Sequence, residues 1–250
     1  MALRGAAALV FVEDLDSPEL AEDDARHLGE VLRLKPGERV AAADGAGGWR
    51  ICEFAGPRPA MPTRAGRHSA RADRYGLEAI GPVQLRERTR PLLEVGFSWA
   101  KGARTEWAVA KLVELGLDRL TPLVADRTIV RPERAGAARR DERLRRIVRE
   151  AAMQSRRPFL PEIASSQSVD ALVVRSAASD LALAEPGGAP VTLSTPVVLV
   201  GPEGGWSPRE LALVPNKVSL GDGILRVETA ALAAGTLLTA LRSAAVAPLE

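Results

Sequence analysis

The chain has 250 residues, 46% of them hydrophobic and 26% charged, with a net charge of +2 and an isoelectric point near 9.0. That length holds one large domain or two small ones around a real core, and no apolar run reaches the length of a membrane span. One cysteine, Cys52, excludes an internal disulfide and fits a reducing cytoplasm, while two histidines, His27 and His68, lack the ligand spacing of a metal site.

Ala6 to Val12 is apolar but short, and Glu13-Asp14 follow at once, so it reads as a first strand rather than a signal peptide. Residues 10 to about 80 are β-rich: Val10–Val12, Arg39–Ala42 and Trp49–Phe54 are separated by Pro36-Gly37, Asp44-Gly45 and Gly47-Gly48. Short strands at this spacing predict a small barrel. A helix is expected over Glu22–Arg33, with Ala25, Leu28 and Leu32 on one face. Gly56 to Arg74 is rich in arginine and proline and poor in apolar residues, which predicts an exposed, mobile loop. A linker is expected near Gly81–Pro91.

From residue 92 the pattern changes to strands alternating with helices, which implies a mostly parallel sheet. Leu92–Phe97, Arg119–Val124 and Leu181–Ala184 read as strands. Thr105–Leu115, Ala135–Met153 and Val169–Ala177 read as helices, the first of them stopped by Gly116. Between Arg131 and Arg157 stand ten arginines against four carboxylates. Such density suits a phosphate-binding face, and Arg139 and Arg140 are its candidate contacts. A solvated helix laced with i,i+4 ion pairs is the alternative.

The stretch from Val197 to Thr229 carries the chemistry. Val197–Val200 reads as a buried strand ending in Gly201-Pro202-Glu203-Gly204-Gly205. Ser207, Pro208 and Glu210 then form a helix start, as N-cap, first helical residue and capping-box partner. A second strand, Val218–Leu220, runs into Gly221 and Gly223, and a last helix covers Val227–Arg242. Two strand–glycine loop–helix units are thus expected side by side, their loops forming a ligand crevice. Neither loop is a dinucleotide fingerprint or a P-loop.

Leu199-Val200-Gly201-Pro202-Glu203-Gly204-Gly205, together with Leu220-Gly221-x-x-Ile224-Leu225-Arg226-x-Glu228-Thr229-Ala230, resembles the RsmE family. These are small-subunit (16S) ribosomal RNA methyltransferases acting on uridine N3. Lys101-Gly102-x-Arg104-x-Glu106-Trp107, Glu150-Ala151-Ala152-x-Gln154-Ser155-Arg156-Arg157 and His27-Leu28-Gly29-x-Val31-Leu32-Arg33 agree. The resemblance implies an α/β fold: a PUA-like RNA-binding β-barrel over residues 1–80 and a SPOUT methyltransferase domain with a trefoil knot over 81–250. It implies S-adenosyl-L-methionine as cofactor, a homodimer, and small-subunit RNA or the assembled 30S particle as partner in the cytoplasm. No metal or membrane enters.

Under that resemblance the cofactor meets Leu199, Gly201, Pro202, Glu203, Gly204, Leu220, Gly221, Ile224 and Leu225. Arg226 is the candidate for stabilising charge on the uracil carbonyls, its alternative role being to pair with Glu228. Glu203 acts as base or fixes the loop by accepting backbone amides. His27 and Arg33, with Arg139, Arg140, Arg156 and Arg157, are the candidate RNA contacts. Another SPOUT enzyme acting on a ribose 2′-oxygen and a non-catalytic RNA-binding assembly factor remain alternatives.

Overall fold

The computed structural model describes residues 2–57, 75–129 and 136–247. Beyond Pro57, the loop expected up to Arg74 lies outside the described residues, as do Arg131, Glu133 and Arg134 of the basic stretch. The chain parts into two compact units: Met1–Arg88 with Ala152–Leu160, and Thr89–Ala151 with Pro161–Glu250.

The first unit begins with α1 (Ala2–Gly5) and β1 (Ala8–Phe11), followed by α2 (Glu22–Arg26), which continues as a π-helical turn over His27–Val31. Then come β2 (Arg39–Ala43), β3 (Gly48–Pro57), β4 (Tyr75–Ala79) and the short β5 (Gln84–Leu85). They make a five-stranded sheet in the order β1-β2-β3-β4, with β5 also on β3; β1 and β2 are parallel and the other pairs antiparallel. The period of a strand explains its two covered faces. Val40 and Ala42 join Leu28, Cys52 and Phe54 in one cluster, while Ala41 and Ala43 join Leu9 and Trp49 in another.

The expected helical face Ala25–Leu28–Leu32 is only partly realised. Ala25 and Leu28 are buried, but Leu32 is largely exposed. The Leu32 amide donates to the His27 carbonyl, an i→i+5 bond, and the extra residue in that turn rotates Leu32 outward. Arg33 then leaves the helix with φ 54°. The stretch read as a linker contains β5. A further element escaped the sequence reading: Arg156 donates to the carbonyls of Ala7 (2.5 Å) and Met153 (3.2 Å), which staples residues 152–160 to the N-terminal strand region.

The second unit contains β6 (Glu94–Ser98), α3 (Arg104–Leu115), β7 (Arg119–Leu123), α4 (Ala137–Gln154, its end counted with the first unit), β8 (Glu162–Ile163), α5 (Val169–Arg175), β9 (Leu181–Ala189), β10 (Val197–Val200), α6 (Pro208–Leu213), β11 (Asn216–Val218) and α7 (Val227–Arg242). The six strands pair in parallel throughout, in the order β11-β9-β10-β6-β7-β8. Every residue of β6 and β10 is buried, as strands covered on both faces must be, and this is why β10 reads as a continuous apolar run.

The sheet order corrects one expectation. The two glycine-bearing strands, β10 and β11, are not neighbours: β9 lies between them and pairs with both. The second of them also ends at Val218, so Leu220 belongs to the loop rather than to the strand. All parallel strands point their C-terminal ends the same way, so the ends of β9, β10 and β11 meet at one edge. At the other end Asp118 fixes the frame. Its carboxylate accepts from the Leu93 amide (3.0 Å) and from Arg242, which ties the end of α7 to the start of β6.

Candidate active site

A cavity of about 430 Å3 opens where those three strand ends meet. Val200, Gly201, Pro202 and Glu203 line it from the β10 loop, and Leu220, Gly221, Ile224, Leu225 and Arg226 from the β11 loop. Eight of the nine are among the residues expected from sequence to hold a cofactor or to act on a substrate; Val200 is the addition. Leu199 is placed differently, fully buried in the core with Leu181, Leu183 and Trp206. Gly204 does not line the cavity: its carbonyl turns to Arg127, which donates to it at 3.2 Å.

The sequence reading missed the third wall. Ala184, Glu185 and Pro186, at the bend of β9, line the cavity too. The signal was Glu185-Pro186-Gly187-Gly188, a turn-rich break directly after an apolar run. Trp206 joins this wall to the β10 loop. Its indole N–H donates to the Ala184 carbonyl (3.0 Å), and its ring packs so close to Gly201 that a Cβ there would stand 2.9 Å from a ring carbon. Gly201 is therefore required by contact. Gly205 is required by conformation: with φ 69° it closes a turn in which its amide donates to the Pro202 carbonyl at 2.9 Å.

The capping residues form as the sequence predicts. The Ser207 hydroxyl accepts from the Glu210 amide (3.1 Å) and the Glu210 carboxylate accepts from the Ser207 amide (2.9 Å). Glu210 does more than a capping box requires. Nearly wholly buried, its other oxygen accepts from the Asp126 amide at 2.9 Å and fastens the turn after β7 to the glycine loop. Arg209 spans Asp126 (2.8 Å) and Asp170 (2.5 Å) on the surface above. Its hydrogen bonds to Asp126 and Asp170 raise the guanidinium pKa, and its bond to Asp170 lowers that carboxyl below the ordinary range.

At the β11 side, Lys217 donates to the carbonyls of Leu211 (2.9 Å) and Val214, closing the end of α6. Burial lowers its pKa, partly offset by the charge of Glu185.

Arg226 is the N-cap of α7, exposed, and the sole cation lining the cavity among the described residues. Its alternative partner is engaged elsewhere: Glu228 faces Arg104 at 3.6 Å. Glu203 is exposed at the rim, and the bond closing its turn is between backbone groups. The amide-accepting role considered for it falls to Glu210 instead.

The candidate RNA contacts scatter. His27 and Arg33 are exposed in the first unit. Arg139 is exposed on α4, whereas the Arg140 guanidinium lies 5.1 Å from the Trp99 ring centroid. Arg143 pairs with Glu106 (2.6 Å) and Arg146 approaches Glu150 (3.8 Å). Arg156 is spent on the carbonyls described above, and Arg157 is half-buried. Among the described residues no cluster of His, Cys, Asp and Glu could hold a metal ion, and no helix is long and apolar enough to cross a membrane.

An RNA methyltransferase domain model matches residues 88–239, and an RNA methyltransferase PUA domain model matches residues 20–59. The ribosomal RNA small subunit methyltransferase E of Mycobacterium bovis is 31% identical over 228 residues, covering 85% of this chain and 82% of its own. The chain belongs to the ribosomal RNA small subunit methyltransferase E family. The Neisseria gonorrhoeae member of that family, solved with S-adenosyl methionine bound, is 26% identical with a TM-score of 0.74, over 94% of this chain and 97% of that one. A probable rRNA methyltransferase from Porphyromonas gingivalis shares the fold at 24% identity and a TM-score of 0.75, over 96% of this chain and 100% of that one. The family's methyltransferase model thus spans the whole cavity, from β9 through the start of α7.

Proposed function

We propose that the chain methylates N3 of a uridine in small-subunit (16S) ribosomal RNA, with S-adenosyl-L-methionine as methyl donor. The observation that carries this reading is the cavity itself: both glycine loops wall it, and an unpaired arginine stands at its rim. Its size falls in the range of small-molecule sites. Its walls mix apolar side chains (Val200, Leu220, Ile224, Leu225) with two carboxylates, Glu185 and Glu203. A sulfonium cation suits such walls, since carboxylates and backbone carbonyls attract it. When bound, S-adenosyl-L-methionine supplies an electrophilic methyl group on sulfur.

The chain's own residues do the rest. The β9, β10 and β11 ends hold the donor in one orientation, and the apolar walls exclude water from the line of attack. As N3 of uracil becomes nucleophilic, negative charge develops on the flanking carbonyl oxygens. Arg226 donates hydrogen bonds to those oxygens, which lowers the barrier as an oxyanion hole does. Glu203, exposed at the same rim, accepts the N3 proton. N3 is hidden in paired RNA, so the target is unpaired or turned out of its stack.

The homodimer and the cytoplasmic setting are part of the same proposal, and sedimentation of the purified chain tests the first. The deciding experiment incubates the protein and S-adenosyl-L-methionine with small-subunit RNA and, separately, with 30S particles, then maps modified nucleosides. N3-methyluridine is the expected product. A ribose 2′-O-methyl product would replace the reading with its enzymatic alternative, and no product with no cofactor binding would make the chain an assembly factor.

A further inference from the structure

A second hollow, of about 570 Å3, opens at the start of α3, lined by Lys101, Gly102, Arg104, Trp107, Glu228 and Thr229 among others. It shares one helical turn with the active-site cavity. Val227 and Ala230, three apart and on one face of α7, line the cavity, whereas Glu228 and Thr229 turn to the hollow. Arg226 stands at the head of that turn. Trp107 is 50% exposed, while Trp49, Trp99 and Trp206 are all buried. Lys101 and Arg104 are exposed beside it. The nearby carboxylates are already engaged: Glu106 by Arg143 at 2.6 Å, Glu228 by Arg104 at 3.6 Å.

An exposed indole flanked by cations is the chemistry that holds a single-stranded nucleotide, the base stacking on the ring and the phosphate meeting the charges. Turning a uridine out of its stack leaves the neighbouring base without a stacking partner, and an aromatic ring at the right place compensates. We propose that this hollow takes one unpaired nucleotide of the RNA strand adjacent to the methylated uridine, its base on Trp107 and its phosphate on Lys101. The proposal rests on the RNA-methylating reading above and assigns it a subsite.

The test measures binding of a labelled single-stranded oligoribonucleotide to the full chain by anisotropy across a range of salt concentrations. Trp107→Ala is expected to weaken binding about 5- to 150-fold, the span of one lost base–aromatic stack, and Trp107→Phe to restore most of it. Lys101→Ala should flatten the slope of log affinity against log salt by about 0.7. Affinity for S-adenosyl-L-methionine, measured by calorimetry, should be the same in all three variants, which shows them folded. Wild-type RNA affinity in Trp107→Ala overturns the proposal. So does a loss of self-association in that variant without RNA, which would give the ring to a second copy of the chain. If the wild type makes no N3-methyluridine, the reaction falls, but the dependence of RNA affinity on Trp107 still decides the subsite.

Discussion

Replacing Glu210 tests whether the glycine loop is held from behind. The buried carboxylate accepts from two backbone amides, Ser207 and Asp126, both at 2.9 Å. Hydrogen bonds to a charged group contribute about 1.5–3 kcal/mol each, and Glu210→Ala removes both acceptors. Relief from burying a carboxylate offsets part of that loss. A net destabilisation of about 3 kcal/mol of the second unit is expected, with Glu210→Gln, which keeps one good acceptor, costing about half as much. Arg209→Ala is the control. Arg209 makes more ion pairs, but they lie at the surface and are screened by solvent, so its loss should cost clearly less than that of Glu210. Urea unfolding, followed by hydrogen exchange in β10 and α6, reads the relevant unit without assuming that the whole chain unfolds in one step. Affinity for S-adenosyl-L-methionine should fall in the same order. A cost below about 1 kcal/mol for Glu210→Ala, or an equal cost for Arg209→Ala, would refute the view that the buried carboxylate anchors this loop.

Arg226→Ala should leave cofactor affinity nearly intact and lower kcat about 100- to 1000-fold, as loss of one oxyanion donor does; parallel losses in both would remove it from the catalytic role. Arg139→Glu, at an exposed position on α4, should weaken RNA binding and flatten its salt dependence, and an unchanged slope would make that face merely solvated. Cys52 supplies a pH prediction. Burial raises its thiol pKa above the ordinary 9.0, so the folded chain holds the proton more tightly than the unfolded one. The stability this confers is complete below about pH 9 and is lost as pH rises through the folded-state value. Cys52→Ala should therefore flatten the stability profile above that pH; an identical alkaline decline in both proteins would sink the attribution.

The sequence exposes whatever rests on local chemistry. Ser207, Pro208 and Glu210 specify a helix start within four consecutive positions, and the structure forms that start residue for residue. Val197–Val200 is apolar because both faces of β10 are covered, so its bounds are legible as well. What stays hidden is set by distant partners. Nothing local reveals that β9 pairs between β10 and β11, because pairing in a parallel sheet depends on crossovers rather than turns. Leu32 looks like a core residue until one i→i+5 bond rotates it outward. Arg156 looks like a phosphate ligand in a run of arginines, yet its nearest acceptor in space is the Ala7 carbonyl, 149 positions away in the chain.

That last contrast also explains how a motif becomes a site. Glycines allow the loop after β10 to bend, but permission to bend fixes no geometry and leaves conformational entropy to be overcome. The fixing comes from three side chains outside the motif's glycines. Trp206 pins the loop to β9 through its indole N–H, Glu210 pins it to the turn after β7, and Arg127 takes the carbonyl of Gly204. Two of these ties run to the turn after β7 and one to β9, so the loop is held from two sides while its remaining face, toward Leu220 and Leu225, stays open to the cavity. A loop held in this way meets its ligand already ordered, and binding loses less entropy than it would with free glycines. Trp206→Phe isolates one of these restraints: the ring still packs on Gly201, but the N–H to Ala184 is gone. Affinity for S-adenosyl-L-methionine should drop about fivefold, the worth of a single net hydrogen bond, with the chain still folded. Unchanged affinity would mean that ring packing alone aligns β9 with β10, and that the indole hydrogen bond has no part in shaping the cavity.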